Sequence, residues 1–171
     1  MKPGVSSEGV VAGETLGSFW ETIPLEQMTP DQWESLCDRC GRCCLYKVEK
    51  AGEGRVFYTA VACRLLDCES CLCKDYEVRK NVIHRCLLIT PSNLETIHGL
   101  LPATCAYRRI FEGKNLACWH PLISGSPDTV HEAGISVRSM AVSEALVHPD
   151  DLEYLLKGEG SSLFLFEDKH Y

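Results

Sequence analysis

No stretch of the 171-residue chain approaches the roughly 18 apolar residues that a membrane-spanning helix requires. A Walker loop, a dinucleotide-binding glycine fingerprint and a Ser/His/Asp set are all missing, so phosphate cradling and triad hydrolysis are not indicated. Basic residues are also scarce. Seventeen Lys and Arg against 24 Asp and Glu give a net charge of −7 and a pI near 5.4, against the basic footprint of a nucleic-acid-binding domain. Neither a membrane nor a nucleic-acid partner is therefore expected, while a protein partner stays open. Residues 1–17 carry one lysine and no apolar run longer than Val10-Val11-Ala12, so no secretory signal is read there. No internal repeat and no second domain are evident. These absences, with ordinary globular values of 45% apolar and 24% charged residues, predict one cytoplasmic domain able to bury a core without metal.

What the chain has in abundance is cysteine. Eleven are present, four of them within the eight residues Cys37-Asp38-Arg39-Cys40-Gly41-Arg42-Cys43-Cys44. The thiolate is the metal-binding form, and a Cys-x-x-Cys turn brings two sulfurs onto one centre. A third cysteine after the same interval extends the wrap. This opening is shared with the bacterial ferredoxin run, which continues to its next cysteine after three residues and then a proline. Here the fourth follows at once, so the motif differs while the opening geometry is common. Gly41 sits where a tight wrap needs positive φ or a close approach of backbone to sulfur. Arg39 and Arg42 either lower the thiol pKa values and donate to sulfur or are simply solvated. In extended chain Cys43 and Cys44 point to opposite sides, so one of them serves a second centre or is buried. A disulfide framework is the alternative to metal. It is opposed by the odd count, the strain of a vicinal pair and the absence of a signal peptide.

Residues 1–17 read as a disordered leader. From Ser18 a short helical element carries Phe19, Trp20 and Ile23 and breaks at Pro24. Thr29-Pro30-Asp31-Gln32 is a helix start, with Thr29 as N-cap, Pro30 in first position and Gln32 closing a capping box. That helix delivers the chain into the cysteine cluster. Residues 45–50 and 55–62 predict a β-hairpin around Ala51-Gly52-Glu53-Gly54, ending on Cys63 and so returning to the cluster. A helical turn is expected near residues 75–80. Thr90-Pro91 predicts another helix ending near Gly99, and Pro102 to Gly113 a third, with Cys105 in its first turn, where the positive dipole end favours a thiolate. Further on, Trp119-His120-Pro121-Leu122 reads as an apolar loop, Ile135–Arg138 as a short strand and Pro149–Leu156 as a last helix. Residues 158–171 form a tail whose apolar run, residues 163–166, predicts docking or a partner contact.

Six strings in order carry a family resemblance. They are residues 37–44, Tyr58-Thr-Ala-Val-Ala-Cys-Arg-Leu-Leu-Asp67, Cys71-Leu-Cys-Lys-Asp-Tyr76, Leu101-Pro-Ala-Thr-Cys-Ala-Tyr-Arg108, Trp119-His-Pro-Leu122 and His131-Glu-Ala-Gly-Ile-Ser-Val-Arg138. Together they resemble the CxxCxxCC family of domains named as zinc- or iron-chelating, closest to its short YcgN-like bacterial branch, over residues 18–157. A larger relative, the flagellin lysine methylase, carries a similar cysteine domain associated with iron-sulfur chemistry. What the resemblance implies is a metal-ligand pattern at Cys37, Cys40, Cys43, Cys44, Cys63, Cys71, Cys73, Cys86 and Cys105. Cys68 and Cys118 fall outside it and read as packing residues or spare thiols.

Nine thiols exceed the four that one zinc or one four-iron cluster takes. One centre on Cys37, Cys40 and Cys43 is expected, closed by a remote thiol, with Cys63, Cys71, Cys73 and Cys86 forming a second or completing the first. The triple spacing favours an iron-sulfur cluster over zinc, whose sites usually show two separated knuckles. His120 and His131 are the non-cysteine candidates for ligation or catalysis, weighed against hydrogen-bonded structural roles. Arg108, Arg109 and Arg138 are read either as an anion site or as surface residues. Two functions follow as expectations: a metal-binding redox, sensor or accessory module, or a metalloenzyme with an open metal position. The expected fold is a small, helix-rich α+β single domain of residues 18–157, with one β-hairpin, organised around cysteine-ligated metal.

Overall fold

The computed structural model describes residues 18–49, 56–156 and 165–167. It is an α+β domain of short helices set against one small sheet, as the sequence predicts. The predicted leader, the hairpin turn and most of the tail lie outside the described residues.

The first helical turn, α1 (Phe19–Thr22), ends before Pro24, which cannot continue it and instead starts a 3-10 turn at Leu25–Gln27. Helix α2 (Pro30–Ser35) begins as its capping residues dictate. The Thr29 hydroxyl accepts from Gln32 N at 3.3 Å, and Gln32 Oε1 accepts from Thr29 N at 2.9 Å. Trp33 and Leu36 then point into the main apolar cluster, beside Leu94, Leu101 and Tyr107. The Trp33 and Tyr107 rings stand 4.6 Å apart. Tyr107 donates to the Trp33 carbonyl at 2.9 Å, and Trp33 Nε1 donates to Ile89 O at 3.3 Å. Each fully buried Leu here contributes about 1.5–3 kcal/mol, which anchors the residues just before Cys37.

Strands β1 (Leu45–Glu49) and β2 (Val56–Ala62) pair antiparallel with an irregularity between Leu45 and Lys47. The other edge of β2 is shared by β3 (Val142–Ser143), parallel to it, and β4 (Leu165–Glu167), antiparallel. Part of the predicted tail thus extends the sheet. Between β2 and β3 run α3 (Arg79–Val82), α4 (Leu94–Ile97), α5 (Ala106–Phe111), α6 (Pro121–Ser124) and α7 (Thr129–Glu132). Helix α8 (Pro149–Leu156) follows β3.

Three local expectations are corrected. Thr90-Pro91 lies in a turn, closed by Thr90 N donating to Asn93 Oδ1 at 2.9 Å, and the helix begins only at Leu94. The loop predicted at Trp119–Leu122 contains the start of α6, because His120 Nδ1 caps Leu122 N. Ile135–Arg138 is not a strand. Its amides turn inward, with Ile135 N and Ser136 N donating to Val130 O, and Val137 N to Cys40 O at 2.8 Å. Those bonds tie it to the cysteine turn instead of the sheet.

Candidate metal centre

The cysteine run leaves α2 and folds back through two left-handed residues, Arg39 at φ 60° and Gly41 at φ 76°. Gly41 supplies the positive φ expected of it, but a Cβ there would stand 2.7 Å from Val137 Cγ2, so the close approach is to a valine methyl and not to sulfur. Beyond it, Arg42–Cys44 is a 3-10 turn. The premise of extended backbone at Cys43-Cys44 is therefore corrected: in a turn of this pitch successive side chains need not oppose, and both cysteines reach one cavity. Arg39 is exposed, whereas Arg42 is buried and its Nε donates to Ile135 O at 2.5 Å.

That cavity, about 340 Å³, is the chemical centre of the described residues. Six cysteines line it: Cys37, Cys43, Cys44, Cys63, Cys73 and Cys86. They come from separate places in the chain. The hairpin returns Cys63 beside Cys44, with Cys63 N donating to Cys44 O at 3.0 Å, and an isolated bridge between Leu66 and Cys73 folds the next segment back. Cys86 follows α3, its amide donating to Ile83 O at 3.0 Å.

Of the remaining predicted ligands, Cys40 and Cys105 lie behind this wall in the apolar interior. Cys105 is the N-cap of α5, which begins at Ala106 and not at the expected Pro102, so this thiol precedes the first turn instead of lying in it. Cys71 points elsewhere. It has left-handed backbone at φ 58° and packs with Leu66 and Val137, its thiol held high by burial and lying against Ser136 and Arg138. Cys68 packs beside it and Cys118 is exposed. Among the described residues, no three Cys, His, Asp or Glu side chains are drawn together closely enough to hold a metal ion.

Electrostatics separates the thiols. The Cys43 thiol is lowered, first by a hydrogen bond from Cys44 and then by the Lys47 ammonium, while the same bond and burial raise Cys44. Cys37 is reached by solvent across the cavity yet crowded by protein, and this desolvation together with neighbouring Cys43 and Asp38 pushes it up to about 12. Burial raises Cys40 and Cys105 well above the ordinary thiol range. At Cys105 burial thus outweighs the dipole effect expected there, although the Arg108 amide donates to its sulfur. The amides of Arg39 and Arg42 do the same for Cys37 and Cys40.

Lys47 is the charged residue of the cavity wall that sequence reasoning passed over. Its Nζ donates to Cys43 O at 2.8 Å and Leu45 O at 3.1 Å and lies 5.4 Å from the Tyr58 ring centre. Its place four residues after Cys43 was the available signal. Two stacked pairs line the same cavity. Arg79 lies 3.5 Å from the Tyr76 ring centre and Arg85 4.4 Å from that of Tyr46. The Tyr76 hydroxyl donates to Glu34 at 2.5 Å, and Glu144 binds both Tyr46 and Arg85. Nothing in the sequence marked these partners.

The other candidates are committed elsewhere. His120 is buried, its Nδ1 accepting from Leu122 N at 3.1 Å, which leaves Nε2–H to donate to Leu36 O at 3.0 Å. His131 Nδ1 is 2.7 Å from the Ser136 hydroxyl. Arg108 pairs with Glu112 at 2.7 Å, Arg109 donates to Asn115 O and Arg138 to Glu69 O.

The comparisons with known proteins give relatives but no activity. Over 131 residues the chain is 56% identical to a UPF0260 protein of Gluconacetobacter diazotrophicus, covering 77% of this chain and 81% of that one. It is 53% identical over 133 residues to one from Rhodobacter capsulatus, covering 78% and 89%. With one from Mesorhizobium japonicum it shares 50% over 144 residues, covering 82% and 97%. No family model and no solved structure matches. Among the described residues, no helix is long and apolar enough to cross a membrane.

Proposed function

The chain belongs to the UPF0260 family, and from that premise we propose that it is a metal-binding protein with a cysteine-ligated centre, acting as a redox, sensor or accessory module. The finer likeness to zinc- or iron-chelating CxxCxxCC domains is part of this proposal. One observation carries it: six cysteines from four stretches of chain line one cavity, beside a lysine ammonium. Soft thiolates suit zinc and iron-sulfur clusters alike. The residues present fit such a group in donor chemistry, since backbone amides already point at Cys37, Cys40 and Cys105 and such bonds stabilise thiolate ligands. Lys47 and Arg79 set positive charge against sulfurs that become anionic on ligation. To bind metal the thiols must close inward around the cavity.

An iron-sulfur cluster is the preferred occupant, on the two successive Cys-x-x-Cys intervals of Cys37, Cys40 and Cys43 and the surplus of thiols. A bound cluster would supply one-electron chemistry. What the chain itself does is ligate, compensate charge and shield the sulfurs with Leu65, Leu66 and Ile83. The metalloenzyme reading draws on the same cavity, where the Tyr46 and Tyr76 walls would border an open metal position. Anaerobic purification with absorption spectra and iron, zinc and acid-labile sulfide analysis tests the proposal. Stoichiometric iron and sulfide support the cluster, and zinc without sulfide supports a structural chelating module. Absence of any thiolate-bound metal, in protein purified and reconstituted without oxygen, refutes both.

A further inference from the structure

We propose that Cys68 and Cys71 form a separate, redox-active site outside the cavity: a Cys-x-x-Cys dithiol that a small-molecule disulfide oxidises to an internal disulfide. The site shares no sulfur with the cavity, so it goes beyond the metal-binding reading and holds whether or not metal is bound there.

Cys68-Glu69-Ser70-Cys71 is a Cys-x-x-Cys string that the cavity leaves unused. Neither thiol lines that wall, and both pack in the apolar cluster of Leu45, Tyr58, Leu66 and Val137. One tight turn brings them together. Asp67 Oδ1 accepts from Glu69 N at 3.0 Å and from Ser70 N at 2.9 Å, while Asp67 O accepts from Cys71 N at 2.8 Å and Asp67 N donates to Leu72 O at 2.9 Å. The ends of a four-residue turn have Cα atoms less than about 7 Å apart, and a disulfide spans about 4.4–6.8 Å. The Cys71 side chain folds back over the same turn, its Sγ 3.9 Å from Cys68 O. Closing the pair therefore asks for side-chain rotation within a turn that is already formed.

Access gives the two sulfurs different parts. Cys68 is half-buried, whereas Cys71 is 4% exposed, so an incoming disulfide meets Cys68 and Cys71 resolves the product. A thiol buried among apolar groups ionises poorly, and Cys71 needs a base as it attacks. Its thiol lies against the Ser136 hydroxyl, which is 2.7 Å from His131 Nδ1. In the tautomer with its hydrogen on Nε2, His131 accepts from Ser136 and Ser136 accepts from Cys71. Arg138 is exposed, and its Nε donates to Glu69 O at 2.6 Å, which sets a cation beside the turn, where an anionic disulfide such as glutathione disulfide approaches.

The exchange balances in two steps. The Cys68 thiolate, its proton given to water, attacks one sulfur of the external disulfide; that S–S bond breaks, one thiolate leaves and is protonated, and Cys68 carries a mixed disulfide. Cys71 then passes its proton through Ser136 to His131 and attacks Cys68 Sγ. The second thiolate leaves and takes up the proton that His131 releases. Two electrons have moved from the dithiol to the external disulfide, which ends as two thiols.

The test treats reduced full-length protein with glutathione disulfide, blocks free thiols with N-ethylmaleimide in denaturant and reads the tryptic peptide Leu65–Lys74, which holds Cys68, Cys71 and Cys73, by fragmentation mass spectrometry. Expected is a peptide with Cys68 and Cys71 joined, two hydrogens lighter, and maleimide on Cys73. Cys71→Ser should stop at a glutathionyl adduct on Cys68, and Cys68→Ser should leave Cys71 unmodified. Ser136→Ala should leave the first step unchanged and slow the second by about 10²-fold, so that the adduct accumulates. Maleimide on both Cys68 and Cys71 after exhaustive treatment, or Cys71 joined to Cys73 or to another peptide, overturns the pair in wild type, where no variant has to fold. Wild-type rates for both steps in Ser136→Ala overturn the proton path.

Discussion

Replacing Gly41 by alanine probes the tightest approach in the cysteine turn. The new Cβ would meet Val137 Cγ2 at 2.7 Å, and Val137 is fully buried, with its amide bonded to Cys40 O. It has little room to yield. Holding an L-residue in left-handed backbone costs about 1–2 kcal/mol, and forcing extra volume into a packed core about 1–3 kcal/mol. Together these give a loss of about 2–5 kcal/mol, a fall in melting temperature of about 5–15 °C for a chain of this size. The assay is thermal and urea unfolding of the reduced, metal-free protein, followed by tryptophan fluorescence, with Trp33 as the buried reporter. Val137→Ala in the same chain removes the clashing methyl but not the backbone strain. The double variant should therefore recover about 1–3 kcal/mol relative to the sum of the two single losses. A change in melting temperature below about 2 °C, or additive losses without recovery, would refute the reasoning from close approach.

Replacing Cys40 by serine should lose metal and lower the melting temperature of the loaded protein, because metal-binding free energy becomes folding free energy; Cys68→Ser should do much less, and equal effects would count against the assignment. Thr29→Ala removes the helix cap and should cost about 1 kcal/mol in denaturant unfolding with metal content unchanged. The metal-free protein should weaken in alkali. Cys37 is raised from 9.0 to about 12, so its protonated form is favoured by folding, and that stability is complete below pH 9.0 and lost as pH climbs toward 12. Denaturant midpoints measured across that range check the sign, and a midpoint that rises with pH contradicts it.

Short-range chemistry was legible in the sequence. Thr29, Pro30 and Gln32 announce α2 because a capping box is satisfied within one turn of chain, and the hairpin was readable from β-branched and aromatic residues flanking a glycine pair. Gly41 could be singled out because few other residues tolerate its backbone. What the sequence could not disclose is where a thiol points. Ile135–Arg138 looks like a strand by composition, but its amides are claimed by Val130 and Cys40, contacts that no local window contains. The pairing of Tyr46 and Arg85 through Glu144 likewise joins residues far apart in the chain.

Cys71 shows how the legible and illegible parts meet. By type and spacing it is as good a ligand as Cys73, two residues on. Yet the same left-handed turn at Gly41 that wraps Cys40 toward Cys43 leaves no side chain behind it, and Val137 and Cys71 fill that space. Cys71 is itself left-handed, with its amide closing a turn onto Asp67 O at 2.8 Å. Bending there reverses the chain so that Leu72 N–H is free to approach Ser70 and Leu72 O accepts from Asp67 N at 2.9 Å, which carries Cys73 to the cavity. One cysteine therefore holds the back of the turn while its neighbour faces the front. In a chain with eleven thiols, the left-handed backbone at Arg39, Gly41 and Cys71 helps decide which cysteines line the cavity and which pack behind it.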